Sequence, residues 1–288
     1  MTKHLFHDKM IKKDVFSMRY GYCVNMIAKD CYGVGYTYIP LLKKWGFDYV
    51  DLPMAQLMEM DDSTFQDCVL APLKDVGLPC VCTNNLFPAG IRLTGPDADP
   101  NAAIDYCKRA FPRAAALGAR RAVFGSSGAR NIPFGWPYAD AQRQLIELLL
   151  QLSPLAEAYG ITFVIEPLNR SESNIITSIA EGVRICKTAA SPRVKMLVDY
   201  YHMALCGESA ADAAKTCGTL QHVHIARPLG RGLPVYGDGE DYRLFFDVLH
   251  TIGYDGEISI EAYAPDTNRA SISASLEYLR SCAEEKTQ

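Results

Sequence analysis

Four side chains in the second half of the chain have the types and spacing to do chemistry together: Glu166, Asp199, His224 and Glu261. Glu166 closes the run ITFVIE, Asp199 closes VKMLVD, His224 lies in LQHVHIA and Glu261 in GEISIEAY. An unbroken apolar run of this length reads as a strand covered on both faces, as in a parallel sheet flanked by helices. A carboxylate at the end of such a strand is costly to desolvate unless something positive lies beside it. Each residue alone has an ordinary reading, since strand-end acids often cap helices and strand histidines usually pack in cores. Spacing joins them: successive members are 33, 25 and 37 residues apart, each step about one strand–helix unit. The four therefore belong to consecutive strands at one level. Three carboxylates and one imidazole suit a hard or borderline divalent ion, Mn2+ or Mg2+, with Co2+ as a further fit. His222, two residues before His224, faces the same way one level deeper, where it is expected to support or pack.

The elements that must position these residues alternate along the chain. Strand-like segments at 18–27, 47–54, 78–87, 120–126, 161–169, 194–203, 220–226 and 256–263 alternate with helical patterns. The helical patterns cover 36–46, 63–77, 101–119, 139–160, 178–190, 207–218, 241–253 and 267–286. Eight such units in 288 residues average 288/8 = 36 residues each. Gly46, Gly77, Gly118, Gly160, Gly218 and Gly253 each fall where a helix ends and a strand is about to begin. Glycine there supplies the left-handed backbone that closes a helix. The spacing predicts a single α/β domain, a (β/α)8 TIM barrel over 17–288, preceded by a polar N-terminal extension over 1–16. The histidines of that extension, His4 and His7, are expected to be solvated. The loops after the strands, 88–100, 125–138 and 227–241, are longer than the turns before them, which assigns chemistry to the carboxyl ends of the strands.

Composition narrows the function. Hydrophobic residues make up 49% and charged residues 22%, the balance of a soluble globular chain. A formal net charge of -4 argues against a nucleic-acid partner. No apolar run approaches the ~20 residues needed to cross a bilayer, which argues against a membrane partner. The start, MTKHLFHDKMIKKD, has no apolar core of a secretory signal, so a cytoplasmic protein is expected. The ten cysteines form no CxxC pair and sit mostly in apolar segments, as free thiols would. Cys80 and Cys82 share a strand face and are expected to pack in the core.

Further polar residues cluster on the same side: Asn169, Arg170 and Glu172 after the fifth strand, His202 after the sixth, Arg227 and Arg231 after the seventh. Together they offer donors and acceptors for a polyhydroxylated ligand. The loop GSSGARN, 125–131, has the glycine content of a phosphate cradle but lacks the GKS ending of a P-loop.

The segments IEPLNRSE, VDYYHM, HVHI and ISIEAY, in this order and spacing, resemble the xylose-isomerase-like sugar isomerase/epimerase barrels, and within them the ketose 3-epimerases of the tagatose or psicose type. The resemblance runs from about residue 17 to 280. It implies one metal ion, usually Mn2+, held by Glu166, Asp199, His224 and Glu261. It also implies Glu166 and Glu261 as the catalytic acid/base pair, and Glu172, His202 and Arg231 as substrate-binding residues. The implied reaction is epimerisation of a ketose at C3 through a metal-stabilised enediolate, in a homo-oligomer with a small-molecule sugar as substrate. Two loops depart from the epimerase pattern: 124–136, and 225–242, where the arginine is displaced by one residue. A lyase of the same barrel family, an inosose or dehydroshikimate-type dehydratase or an enzyme cleaving a 3-oxo-glycoside, is the alternative. An abasic-site endonuclease would need about three metals and a basic groove, and nothing in the sequence favours a non-catalytic sugar-binding barrel.

Overall fold

The structure, a computed structural model, describes residues 18–264 and 267–284; the proposed extension with His4 and His7 lies outside the described residues. Eight strands form the barrel: β1 Arg19–Cys23, β2 Tyr49–Pro53, β3 Cys80–Asn84, β4 Arg121–Phe124, β5 Thr162–Ile165, β6 Val194–Asp199, β7 Leu220–Ile225 and β8 Glu257–Ile260. They pair in chain order, all parallel, and β1 closes the ring on β8. Parallel neighbours need a crossover, and helices between successive strands provide it. The six glycines at the predicted helix-to-strand junctions all take positive φ, between 61° and 93°.

Strand residues alternate between two environments, as the two-residue period of a strand requires. Val50, Phe124, Phe163, Ile165, Val198 and Ile258 belong to the large core between strands and helices. Tyr49, Val81, Cys82, Val123, Val164 and Leu197 form a small separate apolar group, the consecutive Val81 and Cys82 falling where the β2–β3 register shifts. Glu166 stands two residues past Val164 and Asp199 two past Leu197, so both lie on the face that carries this second group. The same count puts Asp51 above Tyr49, Asn84 above Cys82, His224 above His222 and Glu261 above Ser259. One face of the sheet therefore carries an apolar group low down, interrupted by His222 and Ser259, and polar side chains towards the carboxyl ends of its strands.

Several predicted elements are shorter or more broken than the pattern suggested. The first strand ends at Cys23, and the chain turns through a 3-10 segment, Val24–Ile27. The helix expected over 63–77 is α-helical at Asp62–Phe65 and Ala71–Val76, with a π-helical Gln66–Leu70 between them. Pro72 has no N–H to give the turn before it, and a widened turn accommodates that loss. The helix expected over 207–218 is a 3-10 segment, Ala210–Thr216, begun by a reciprocal Ser209–Asp212 cap. A further short helix, Tyr200–Leu205, starts directly after β6, capped by Asp199, whose side chain accepts a hydrogen bond from the Tyr201 N–H. All ten cysteines are free.

Candidate metal centre and active site

Glu166 follows β5, Asp199 ends β6, His224 lies in β7 and Glu261 follows β8, and all four are buried. Each offers one ligand atom within 4.8 Å of all the others. His224 Nδ1 lies 3.2 Å from Glu166 Oε1 and 3.0 Å from Glu261 Oε2. Residues separated by up to 95 positions in sequence (166 to 261) are thus gathered at one point by the closure of the barrel.

Three carboxylates this close repel one another. Burial pushes the Asp199 carboxyl up to about 8; Arg231 opposes the rise, and Glu261 and Glu166 add to it. Burial also works against ionisation of Glu261, but Arg231 and His224 outweigh it and hold that carboxyl well below the usual range. For His224, burial disfavours the imidazolium, yet Cys23, Glu261 and Asp51 beside it hold the ring well above its ordinary value. A divalent cation relieves all three strains, because it neutralises the carboxylates and takes the place of the imidazole proton. The donor set, oxygen with one nitrogen and no thiolate, fits such an ion.

Arg231 spans the mouth. Its Nη2 lies 2.6 Å from Glu261 Oε2 and 3.5 Å from Asp199 Oδ2, and its Nη1 lies 3.8 Å from Glu172 Oε2. The guanidinium also lies over the Tyr201 ring, 4.7 Å from its centroid. Its backbone has φ 46°, a left-handed value that a non-glycine residue holds only when its surroundings impose it. Arg227 bonds to Leu229 within its own loop, so of the two arginines after β7 only Arg231 reaches the cluster.

His202 is buried with Nε2 3.5 Å from Asp199 Oδ2. Its Nδ1 accepts a hydrogen bond from the Asn169 backbone N–H at 3.1 Å, which leaves the ring proton on Nε2, facing Asp199. Burial and the charge of Arg231 lower its pKa to about 3, so it works as a neutral donor. Glu172, half-exposed at the rim, accepts from Asn169 Nδ2 at 2.8 Å. All seven residues named from the sequence therefore share one end of the barrel.

The glycine-rich loop after β4 positions a buried arginine. Its segment Ser127–Arg130 is a helical turn, and the amides of Ala129, Arg130 and Asn131 are bonded to carbonyls within it. Arg130 is buried and donates to the carbonyls of Phe124 and Glu166, tying the ends of β4 and β5 together. Sequence reasoning missed Arg130, since arginine is rarely buried. It also missed Asp51, His222 Nε2's partner at 2.7 Å, although YVD repeats the pattern of an apolar run ending in an acid. Asn84, whose Nδ2 lies 3.5 Å from Glu261 Oε1, offered no comparable signal.

Fold and site together define a parallel (β/α)8 barrel with a buried carboxylate–imidazole cluster at the carboxyl ends of its strands. The chain belongs to the xylose isomerase-like TIM barrel family, whose model matches residues 39–282. It is similar to the D-psicose 3-epimerase of Agrobacterium fabrum, 27% identical over 78% of this chain and 78% of the relative. It is also similar to the D-psicose 3-epimerase of Ruminiclostridium cellulolyticum, 32% identical over 41% of this chain and 40% of the relative, less than half the length of either. In fold it is similar to the crystal structure of the Clostridium cellulolyticum D-psicose 3-epimerase with D-tagatose. That match has a TM-score of 0.81 at 20% identity and covers 93% of this chain and 100% of that one. No described helix is long and apolar enough to cross a membrane.

Proposed function

We propose that the protein is a divalent-metal-dependent sugar epimerase acting at C3 of a ketose. The observation that carries this reading is the convergence of Glu166, Asp199, His224 and Glu261 within 4.8 Å, from four consecutive strands. These four would hold the ion, and manganese is the ion we infer. Its relatives' names support a ketose as substrate. The same reading takes the cytosol as the compartment and a homo-oligomer as the assembled form.

The chemistry follows from the weak acidity of a carbon beside a carbonyl. A bound divalent ion would supply Lewis-acid polarisation of that carbonyl. Glu166 and Glu261 approach the cluster from strands three apart in the ring, one glutamate removing the proton from C3 and the other returning one to the opposite face. Proton transfer by a positioned carboxylate contributes roughly 10²–10⁴-fold. Arg231, bonded to Glu261, and His202, with its proton on Nε2, would hold substrate oxygens, and Glu172 would accept a hydroxyl at the rim.

A panel of free ketoses, sugar phosphates and 3-oxo-sugars, incubated with Mn2+ in deuterated buffer, tests the reading. The expected result is a C3 epimer carrying solvent deuterium at C3, absent from Glu166→Gln and Glu261→Gln variants that remain folded. An active Gln variant would refute the acid/base assignment. A second reading, a lyase acting on an oxidised glycoside, is favoured by exposed apolar side chains on the mouth loops: Phe134 after β4, Leu229 and Tyr236 after β7. A free ketose would leave these wet, whereas an aglycone would cover them. Elimination creates a new ultraviolet absorbance and epimerisation creates none.

A further inference from the structure

Below the cluster, on the side away from the mouth, lies a second set of polar groups that the proposed reaction does not use. Asp51 of β2, His222 of β7 and Ser259 of β8 are fully buried. Asp51 Oδ2 receives the Ser259 hydroxyl and lies 2.7 Å from His222 Nε2, and the Tyr49 hydroxyl lies 3.0 Å from Ser259 Oγ. A carboxylate this deep is expensive to bury, and these partners hold Oδ2 while Oδ1 has none.

His224 supplies the connection. Its Nδ1 faces Glu166 and Glu261, while Nε2, on the far side of the ring, faces Asp51 Oδ2 at 3.6 Å and Cys23 Sγ at 3.8 Å. A neutral imidazole carries one ring proton, and only the other nitrogen can bind a metal. With Glu166 and Glu261 engaged on the Nδ1 side by the ion they would hold, Asp51 is the carboxylate left facing Nε2. The gap of 3.6 Å closes to a hydrogen bond with a shift of under about 1 Å.

We propose that Asp51 is a positioning residue that fixes the His224 proton on Nε2 and so leaves Nδ1 as the ligating atom. This rests on the metal-site reading above. His222 and Ser259, through their bonds to Asp51 Oδ2, aim the carboxylate. Removing such an outer carboxylate lowers metal affinity by about 10–100-fold. Asp51, Cys82 and His222 also offer ligand atoms within 4.8 Å of one another. The bonds already made by Asp51 Oδ2 favour the positioning role, and the test separates the two.

Mn2+ is titrated calorimetrically into chelator-treated wild type, Asp51→Asn and Cys82→Ala. The expected result is one ion per chain in all three, with affinity lowered roughly 10–100-fold in Asp51→Asn and unchanged in Cys82→Ala. Equal affinity in wild type and Asp51→Asn overturns the proposal while leaving the four-residue site standing. A second ion lost from both Asp51→Asn and Cys82→Ala also overturns it, because Asp51 would then be a ligand itself. Failure of the wild type to bind Mn2+ removes the metal-site reading and this inference with it. Should Asp51→Asn not fold, nitrogen-15 NMR of the Mg2+-loaded wild type decides: a His224 proton on Nε2 is expected, and a proton on Nδ1 overturns the assignment.

Discussion

Gly125 and Glu166 share a space that admits no methyl group: a Cβ built on Gly125 would fall 2.0 Å from Glu166 Oε2. The glycine follows β4 and the glutamate follows β5, so the gap between neighbouring strand ends is reserved for one carboxylate. Gly125 does not use a left-handed backbone, and alanine can adopt its conformation. Gly125→Ala therefore tests the position of Glu166 rather than the stability of the turn. A displacement of about 1 Å at a catalytic group costs on the order of 10²-fold. The variant is expected to melt near the wild-type temperature with kcat/KM reduced by that order; full activity would mean that Glu166 tolerates displacement.

Arg231 contacts Glu261, Asp199 and Glu172 through two separate nitrogens, a geometry that lysine cannot reproduce. Arg231→Lys keeps the charge and loses the fork. Loss of one charge-assisted bond costs about 1.5–3 kcal/mol, so kcat/KM is expected to fall roughly 10–150-fold. Steady-state kinetics with the ketose that responds best to Mn2+ would measure it, and an unchanged KM and kcat would remove Arg231 from the site.

The charge balance of the cluster gives a pH dependence with a definite sign. Asp199 is pushed up to about 8 in the metal-free fold, against about 4 in an unfolded chain. The folded state then binds the extra proton, and stability falls as pH rises from about 4 to about 8. His224, also raised, acts in the same direction above its unfolded value near 6.5. A divalent ion replaces these protons, so the melting-temperature gain from Mn2+ should be larger at pH 8 than at pH 6. Equal gains at both values, measured by calorimetry on chelated and reloaded protein, would contradict the charge argument.

Arg130 carries a buried positive charge whose bonds go to backbone carbonyls at the ends of β4 and β5. Burial lowers its pKa to about 10, which leaves it charged at neutral pH. Arg130→Met fills much of the space but strands the carbonyls of Phe124 and Glu166, at roughly 1–3 kcal/mol each. Relief of the buried charge offsets part of this. A net loss of at least about 2 kcal/mol is expected in denaturant titration. A variant as stable as the wild type would mean that desolvation of the guanidinium cancels its bonds.

The part of this architecture legible in the sequence is the part set by local rules. Apolar runs of strand length, glycines at helix ends and acids one unit apart are periodic features, and they located Glu166, Asp199, His224 and Glu261. The residues left unread act across the barrel. Asp51 meets His222 over a separation of 171 residues, and no local pattern announces such a pair. Gly125 matters for the space it leaves, and Arg130 for being buried where arginine seldom is. The loop 125–131 looked like an anion site because glycine and serine suit both a cradle and a tight helical turn. The fold shows the helical turn, with the amides of Ala129, Arg130 and Asn131 bonded inside it.

Anomalous diffraction from crystals soaked in Mn2+ bears on the whole account. One strong manganese peak per chain is expected, coordinated by the carboxylates of Glu166, Asp199 and Glu261 and by Nδ1 of His224. No peak at that point, or one bound elsewhere with these four side chains free of it, would contradict the account.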